Sequence, residues 1–257
     1  MRLIALLFVL LIGTTGPLKA EQPEAHREDI IRLLARMEEF VPVERQFRAM
    51  GFEGENLALA LAQYRRVFTD RQIAEYMADR LIAAGTGRIT PAFVAGGLIG
   101  PLVERGIGHL TTRELVYFYK VENTVFNALP LRECGLAVKQ RLSDRRLAEA
   151  SARAAARLNT PALKEYYRIQ YKAARLGLTR DAVRLSTEDA LRSEKQIGEA
   201  IFARTDEAEA LALIRTFDNP ARASNRAACV AGRHVMGAVM GLEGRDLRMA
   251  LIYFSTP

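Results

Sequence analysis

The sequence predicts an all-α protein. Three observations carry that reading: helix-start signals recur along the chain, apolar residues return at spacings of three and four, and alternating patterns are scarce. The chain has 257 residues, no Trp and an aromatic fraction of 7%, so Leu, Ala, Val and Ile must fill most of its core.

The first element is a leader. Arg2 is followed by an apolar run from Leu3 to Ile12 and a break at Gly13, Thr14, Thr15, Gly16 and Pro17, the layout of a secretory signal. An apolar core of about ten residues is half the roughly twenty that a membrane-crossing helix needs, which predicts cleavage and no permanent anchor. Ala20, two residues after Leu18, supplies the small residue for cutting, so the expected division is a signal peptide over 1–20 and a helical domain over 21–257. No cysteine stands at a lipidation position. Removing Arg2 and Lys19 takes the net charge from +7 to +5. The surplus of 37 basic over 30 acidic residues is small and scattered, which argues against nucleic acid, whose binders concentrate Lys and Arg on one face.

The first helix is expected from about Glu24 to Val41, with Ile30, Leu33, Leu34, Met37 and Phe40 on one face and Pro42 ending it. A short helix follows to Met50 and stops at Gly51. Leu57, Leu61, Tyr64 and Phe68 give a third helix one apolar stripe. Thr69 and Gln72 read as a capping box, in which side chain and backbone satisfy each other's orphan groups, opening a fourth helix that ends near Gly85. Thr90 and Pro91 read as another start. The glycine-rich stretch 93–110, which contains Pro101, predicts a broken helix or two short ones, either flexible or packed closely against neighbours.

Thr111 and Glu114 form a second capping box before a long helix reaching Ala128 and stopped by Pro130. Further helices are expected at about 131–142, 144–158, 161–176, 187–204, 206–217 and 221–241, with starts at Asn159 or Thr160, Ser186 and Thr205. The apolar tail from Leu247 to Phe254 fits a last helix or an extended strand. No Pro- or Ser-rich linker divides the chain. That favours a single multi-helix domain, with two helical lobes meeting at a sub-boundary near 130 as the alternative.

Cys134 and Cys229 are an even pair in a chain addressed to an oxidising compartment, so one disulfide between them is the expected pairing. On the chain-entropy account a bridge closing a loop near this length restricts the unfolded chain by about 4.7 kcal/mol at most. Two cysteines and three dispersed histidines, His26, His109 and His234, make no metal site.

Residues 24–129 resemble a family of helical bacterial envelope proteins known only as a domain of unknown function. The resemblance lies in the aliphatic opening helix Ile30 to Phe40, the start Leu110-Thr111-Thr112-Arg113-Glu114-Leu115, and the Phe118-Tyr119 pair. The family's Ser-Pro-x-Gly turn is replaced by Glu122-Asn123-Thr124. The resemblance implies a helical envelope fold and brings no activity, ligand or site residue with it.

Glu122 is the most informative single residue. At one helical turn per 3.6 residues it shares a face with Leu115, Phe118, Tyr119, Phe126 and Leu129. A carboxylate in an apolar stripe must be paired, hydrogen-bonded or protonated, and a raised pKa is what a general acid needs in glycan cleavage. The alternative is a buried Glu held by an arginine or a tyrosine hydroxyl. On a continuous helix over 221–241, Arg222, Arg226, Cys229 and Arg233 fall within about sixty degrees and could receive an anionic group or a partner's carboxylates. Tyr166, Tyr167 and Tyr171, interleaved with Arg168, are residue types that anchor protein interfaces and equally line core edges. Gly237 and Gly241 would let another helix approach closely. No phosphate loop, nucleophile elbow, zinc-protease helix, calcium loop or haem-attachment motif occurs, so no catalytic motif and no cofactor is implied.

These features together lead to the expectation of a periplasmic or secreted protein that binds another protein, for example an immunity protein covering an envelope-targeted toxin. An enzyme acting on envelope glycan through Glu122, or a carrier of an apolar ligand lined from 93–110, are the alternatives.

Overall fold

The computed structural model describes residues 27–40, 42–83, 99–142 and 144–255, which are mostly helical, with no strand among them. The expected leader and the Thr90–Pro91 helix start lie outside them.

Helix α1 (Arg27–Ala35) turns at Arg36 into the short α2 (Met37–Phe40), so the single opening helix of the sequence reading is divided. Ile31 and Leu34 are buried, whereas Leu33, expected on the same face, is 43% exposed. Helix α3 (Val43–Ala49) ends as expected before Gly51, whose φ of 92° lies in the left-handed region that glycine enters without a Cβ penalty. Helices α4 (Gly54–Thr69) and α5 (Arg71–Ala83) meet at Asp70. Asp70, not Thr69, caps α5: its carboxylate accepts from the backbone N–H of Gln72 and Ile73, while the Thr69 hydroxyl donates back to the Arg65 carbonyl.

Helix α6 (Gly100–Ile107) carries Pro101 in its first turn and opens the segment leading to α7 (Thr112–Ala128). The Thr111–Glu114 capping box is formed as predicted, with both reciprocal hydrogen bonds present. Next come α8 (Leu131–Val138), α9 (Asp144–Ala155) and α10 (Thr160–Thr179), the last capped by Asn159. Ser186 caps α11 (Thr187–Phe202). Asp206 rather than Thr205 caps α12 (Glu207–Asp218), since the Thr205 hydroxyl is spent on the Ile201 carbonyl. A separate 3-10 turn over Pro220–Arg222 precedes α13 (Asn225–Met240), which Ser224 caps. The tail is a helix, α14 (Gly244–Ser255), and not a strand.

The long helix α10 packs against α4, α5, α6 and α7 and is the axis of the larger part of the fold. Its crossing with α6 is built on glycine. A Cβ at Gly106 would stand 1.8 Å from the Ala173 carbonyl oxygen, and one at Gly177 would stand 2.0 Å from that of Leu102. Of the two readings of the glycine-rich 93–110 stretch, close packing holds for Gly106. The core is one large cluster, joined by a smaller one formed by Phe126, Leu129, Cys134, Ala137, Val138, Leu142, Leu147, Ala150, Ala228 and Cys229. Helices α7, α9 and α13 contribute to both clusters and so tie them together. The Cys134–Cys229 disulfide lies wholly buried in the smaller one, with Cα atoms 5.2 Å apart, and clamps α8 to the first turns of α13.

Candidate functional site

Glu122 sits midway along α7, where the two clusters meet. A narrow cleft there is lined by Glu122, Val125, Phe126, Leu129, Leu147, Ser151, Phe217, Gly232, Val235, Met236 and Phe254. Its cavity volume is about 30 Å³, room for one or two water molecules. Apart from Glu122, Ser151 supplies the only polar side chain of the lining. Glu122 is half-buried as a residue and shares this lining almost wholly with apolar side chains. The Tyr166 hydroxyl, reaching across from α10, donates a hydrogen bond to Glu122 Oε1. Burial pushes the carboxyl up to about 7, and the Tyr166 hydrogen bond, which favours the ionised form, recovers only part of that shift.

Tyr166 is itself fully buried and stacks on Phe118 with ring centroids 5.3 Å apart. Its pKa is raised well above the ordinary tyrosine value by burial and by the neighbouring Glu122, so it remains a neutral donor. Of the two alternatives for Glu122, the tyrosine hydroxyl is its partner and an arginine is not among the cleft residues. Among the described residues no second carboxylate lines the cleft, whereas most glycoside hydrolysis uses a pair.

The predicted binding residues divide. Tyr166 and Tyr167 are core residues, so neither offers a surface to a partner as an interface anchor would. Tyr171 is half-buried: its hydroxyl donates to Asp70 Oδ2 at 2.5 Å, and the Arg66 guanidinium lies 3.8 Å from its ring centroid. Arg175 adds an ion pair to Asp70 at 3.1 Å. Burial alone would raise the Asp70 carboxyl, but Tyr171, the Ile73 amide and Arg175 together hold it below the usual range. One turn earlier on α10, Lys172 and Arg168 reach Glu114 Oε1 or Oε2 at 2.8 Å and 3.0 Å. Desolvation opposes ionisation of Glu114 most strongly, yet these two cations and Thr111 outweigh it and hold the carboxyl at about 2. Thus α10 ties down acidic groups that open α5 and α7, where the helix dipole also favours negative charge.

The arginine cluster is also rearranged. Arg222 belongs to the 3-10 turn and not to α13, so the helical-wheel placement beside Arg226 fails. Arg233 turns inward to donate to the Asn127 and Leu129 carbonyls at 2.9 Å and 2.8 Å, satisfying the last backbone acceptors of α7. The exposed stripe of α13 is instead Arg226, Val230 and His234, four residues apart along the helix. That stripe runs beside the disulfide-bonded Cys229, a juxtaposition the sequence did not reveal because Val230 carries no chemical signal of its own. Gly237 and Gly241 receive no helix. Arg204 lies against both and donates to the Gly237 carbonyl.

Among the described residues no group of His, Cys, Asp and Glu could hold a metal ion, and no helix is long and apolar enough to cross a membrane. No protein-family model, curated protein or solved structure matches the chain.

Proposed function

We propose that this is an exported, non-enzymatic helical protein that works by binding another protein through the outward stripe of α13. The carrying observation is the exposed Arg226, Val230 and His234 on a helix whose start is clamped by a buried disulfide. An arginine and an apolar side chain on a rigid support suit a partner surface carrying carboxylates beside an apolar patch, because little conformational freedom is lost on docking. An immunity role, covering the active site of an envelope-targeted toxin, is one form of this reading.

Capture of partners from envelope extract with the mature chain as bait tests the proposal. A stoichiometric partner retained by the parent and lost with Arg226→Glu and Val230→Asp supports it. Recovery of no such partner, or equal recovery by the variants, counts against it.

One observation favours a second reading, an envelope glycan-acting enzyme: the Glu122 carboxyl is held at about 7, within the range of a general acid. A cleft of about 30 Å³ without a second carboxylate argues against it, since a sugar ring needs several times that space. Cell-wall turnover that is absent, or unchanged by Glu122→Gln, eliminates this reading. The apolar-ligand carrier was expected to be lined from 93–110, of which 93–98 lie outside the described residues, and no residue of that stretch lines this cleft.

A further inference from the structure

Helix-interior glycines are disfavoured unless something needs the missing side chain, and in this fold the need is visible at four of them, while a Cβ at Gly237 would make only an ordinary 3.5 Å contact with Arg204. Gly106, Gly135, Gly177 and Gly232 each have a neighbour so close that a Cβ would collide with it at 2.7 Å or less. Gly198, in the middle of α11, is different. A Cβ there would meet nothing within 4 Å. Nothing within the described chain therefore accounts for glycine at this position.

The face on which Gly198 lies is equally unusual. Leu191, Lys195, Gly198 and Phe202 follow at spacings of four, three and four, the seam along which one helix packs on another. Leu191 is 60% exposed and Phe202 42% exposed. The opposite face of α11 carries the buried Ser193, Ile197 and Ile201, which face α12, α13 and α14. The seam thus points away from the body of the fold.

We infer that a second copy of this chain docks on this seam, α11 against α11 in antiparallel orientation, about a two-fold axis between Lys195 and Gly198. The sequence of the seam is self-complementary under that operation. Leu191 of one copy comes level with Phe202 of the other, so each end of the seam is apolar. The Lys195 side chain passes over the space at Gly198 and comes beside Glu199 of the second copy, giving opposite charges on one flank, while Arg192 keeps its ion pair to Asp246 at 2.9 Å. Within one chain Lys195 and Glu199 form only a loose pair at 3.7 Å, with 73% and 56% of their side chains exposed, so both are available to re-pair. A parallel arrangement would set Lys195 against Lys195 and has no such match. A single helix pair falls below the area of a stable obligate interface, which places this association in the weak, concentration-dependent class. The inference is independent of the α13 stripe proposed above for partner binding.

Sedimentation equilibrium of the mature chain from about 1 µM to 1 mM tests it, over the range expected for weak interfaces. The expected result is a mass rising toward twice that of one chain. Gly198→Leu should abolish the rise with unchanged helical circular dichroism. Lys195→Glu should weaken association about tenfold, and adding Glu199→Lys should restore it. Mild oxidation of a mixture of Leu191→Cys and Phe202→Cys chains should yield a cross-linked dimer, and neither variant alone should. A mass that stays monomeric throughout, as would follow if the seam receives another protein or residues 84–98, overturns the inference. So does a dimer indifferent to Gly198→Leu, or cross-linking by Leu191→Cys alone.

Discussion

Glu122 and Glu114 stand two turns apart on the same helix and are driven in opposite directions. Glu122 loses water and gains one hydroxyl donor, so its carboxyl rises to about 7; Glu114 loses water but gains two cations and two donors from Thr111, so it falls to about 2. The consequences for stability have opposite signs. Between its unfolded value of 4.5 and about 7, folded Glu122 binds more protons than the unfolded chain does, so its contribution is complete below pH 4.5 and is lost as pH rises through 7. The loss amounts to at most about 3 kcal/mol. Glu114 contributes fully above 4.5 and loses that contribution as pH falls toward 2. Chemical denaturation across pH 3–9 is therefore expected to show a maximum near pH 5, and Glu122→Gln, which keeps an acceptor for Tyr166 without a charge, should extend the plateau through pH 8 by a gain of about 2–3 kcal/mol there. A variant that retains the decline above pH 5 would show that another group is responsible.

Asp70 works at the same scale. Its carboxylate caps α5, accepts from Tyr171 and pairs with Arg175, so Asp70→Ala strips two backbone donors and one half-buried hydroxyl of their partner. A cost of about 2–3 kcal/mol in urea titration is expected, against about 1 kcal/mol for an isolated cap. A loss near 1 would mean that Tyr171 and Arg175 find new partners. The sequence reading chose Thr69 because a Thr with Gln three residues later matches a capping box. What decides for Asp70 is Tyr171 and Arg175, about a hundred positions away, which local pattern cannot weigh. By contrast, the Thr111–Glu114 box was legible because its bonds are local, even though the cations that fix its charge come from α10. Glu122 shows both halves at once: its place in an apolar stripe was readable, its Tyr166 partner was not.

At the scale of elements, the arginine cluster failed because wheel arithmetic assumed one continuous helix from 221 to 241. Pro220 instead supports a 3-10 turn and Ser224 begins α13 afresh, which removes Arg222 from the face and leaves Arg233 to close the end of α7. The same arithmetic worked for α7, which has no internal proline or competing cap. Glycine was legible as a residue and not as a contact. The α6–α10 crossing needs Gly106 because backbone meets backbone there, so no side chain can yield. Gly106→Ala should cost about 3 kcal/mol or more, since the helices must separate to admit one methyl group. Thermal unfolding checks this, and a shift of less than a few degrees would show that the crossing is loose.

For the whole molecule, all-α architecture and the disulfide were both readable, the first from periodicity and the second from an even pair of cysteines in a chain expected to be exported. How the core divides was not, because it depends on which helices span both clusters. The bridge lies in the smaller cluster, beside the α13 stripe, and so should matter most where the hydrophobic core is thinnest. Cys134→Ser with Cys229→Ser is expected to cost about 2–5 kcal/mol, with α8 and the start of α13 losing amide-exchange protection before α10 does. Uniform loss of protection would show instead that the two clusters unfold as one. Titration of the unfolded, unreduced chain should find no free thiol.

The lone pair of cysteines has a further consequence for how this chain matures. Two thiols within one chain can join in only one way, so there is no wrong intramolecular isomer to be trapped in and nothing to reshuffle. Ninety-five positions separate them, and Cys134 has no correct mate until the region around Cys229 has arrived. Oxidation is therefore expected as a late, single event: a reactive disulfide that takes up the two electrons and leaves as a dithiol suffices, a disulfide isomerase should add nothing, and the bridge can close only once helices α8 and α13 have found each other.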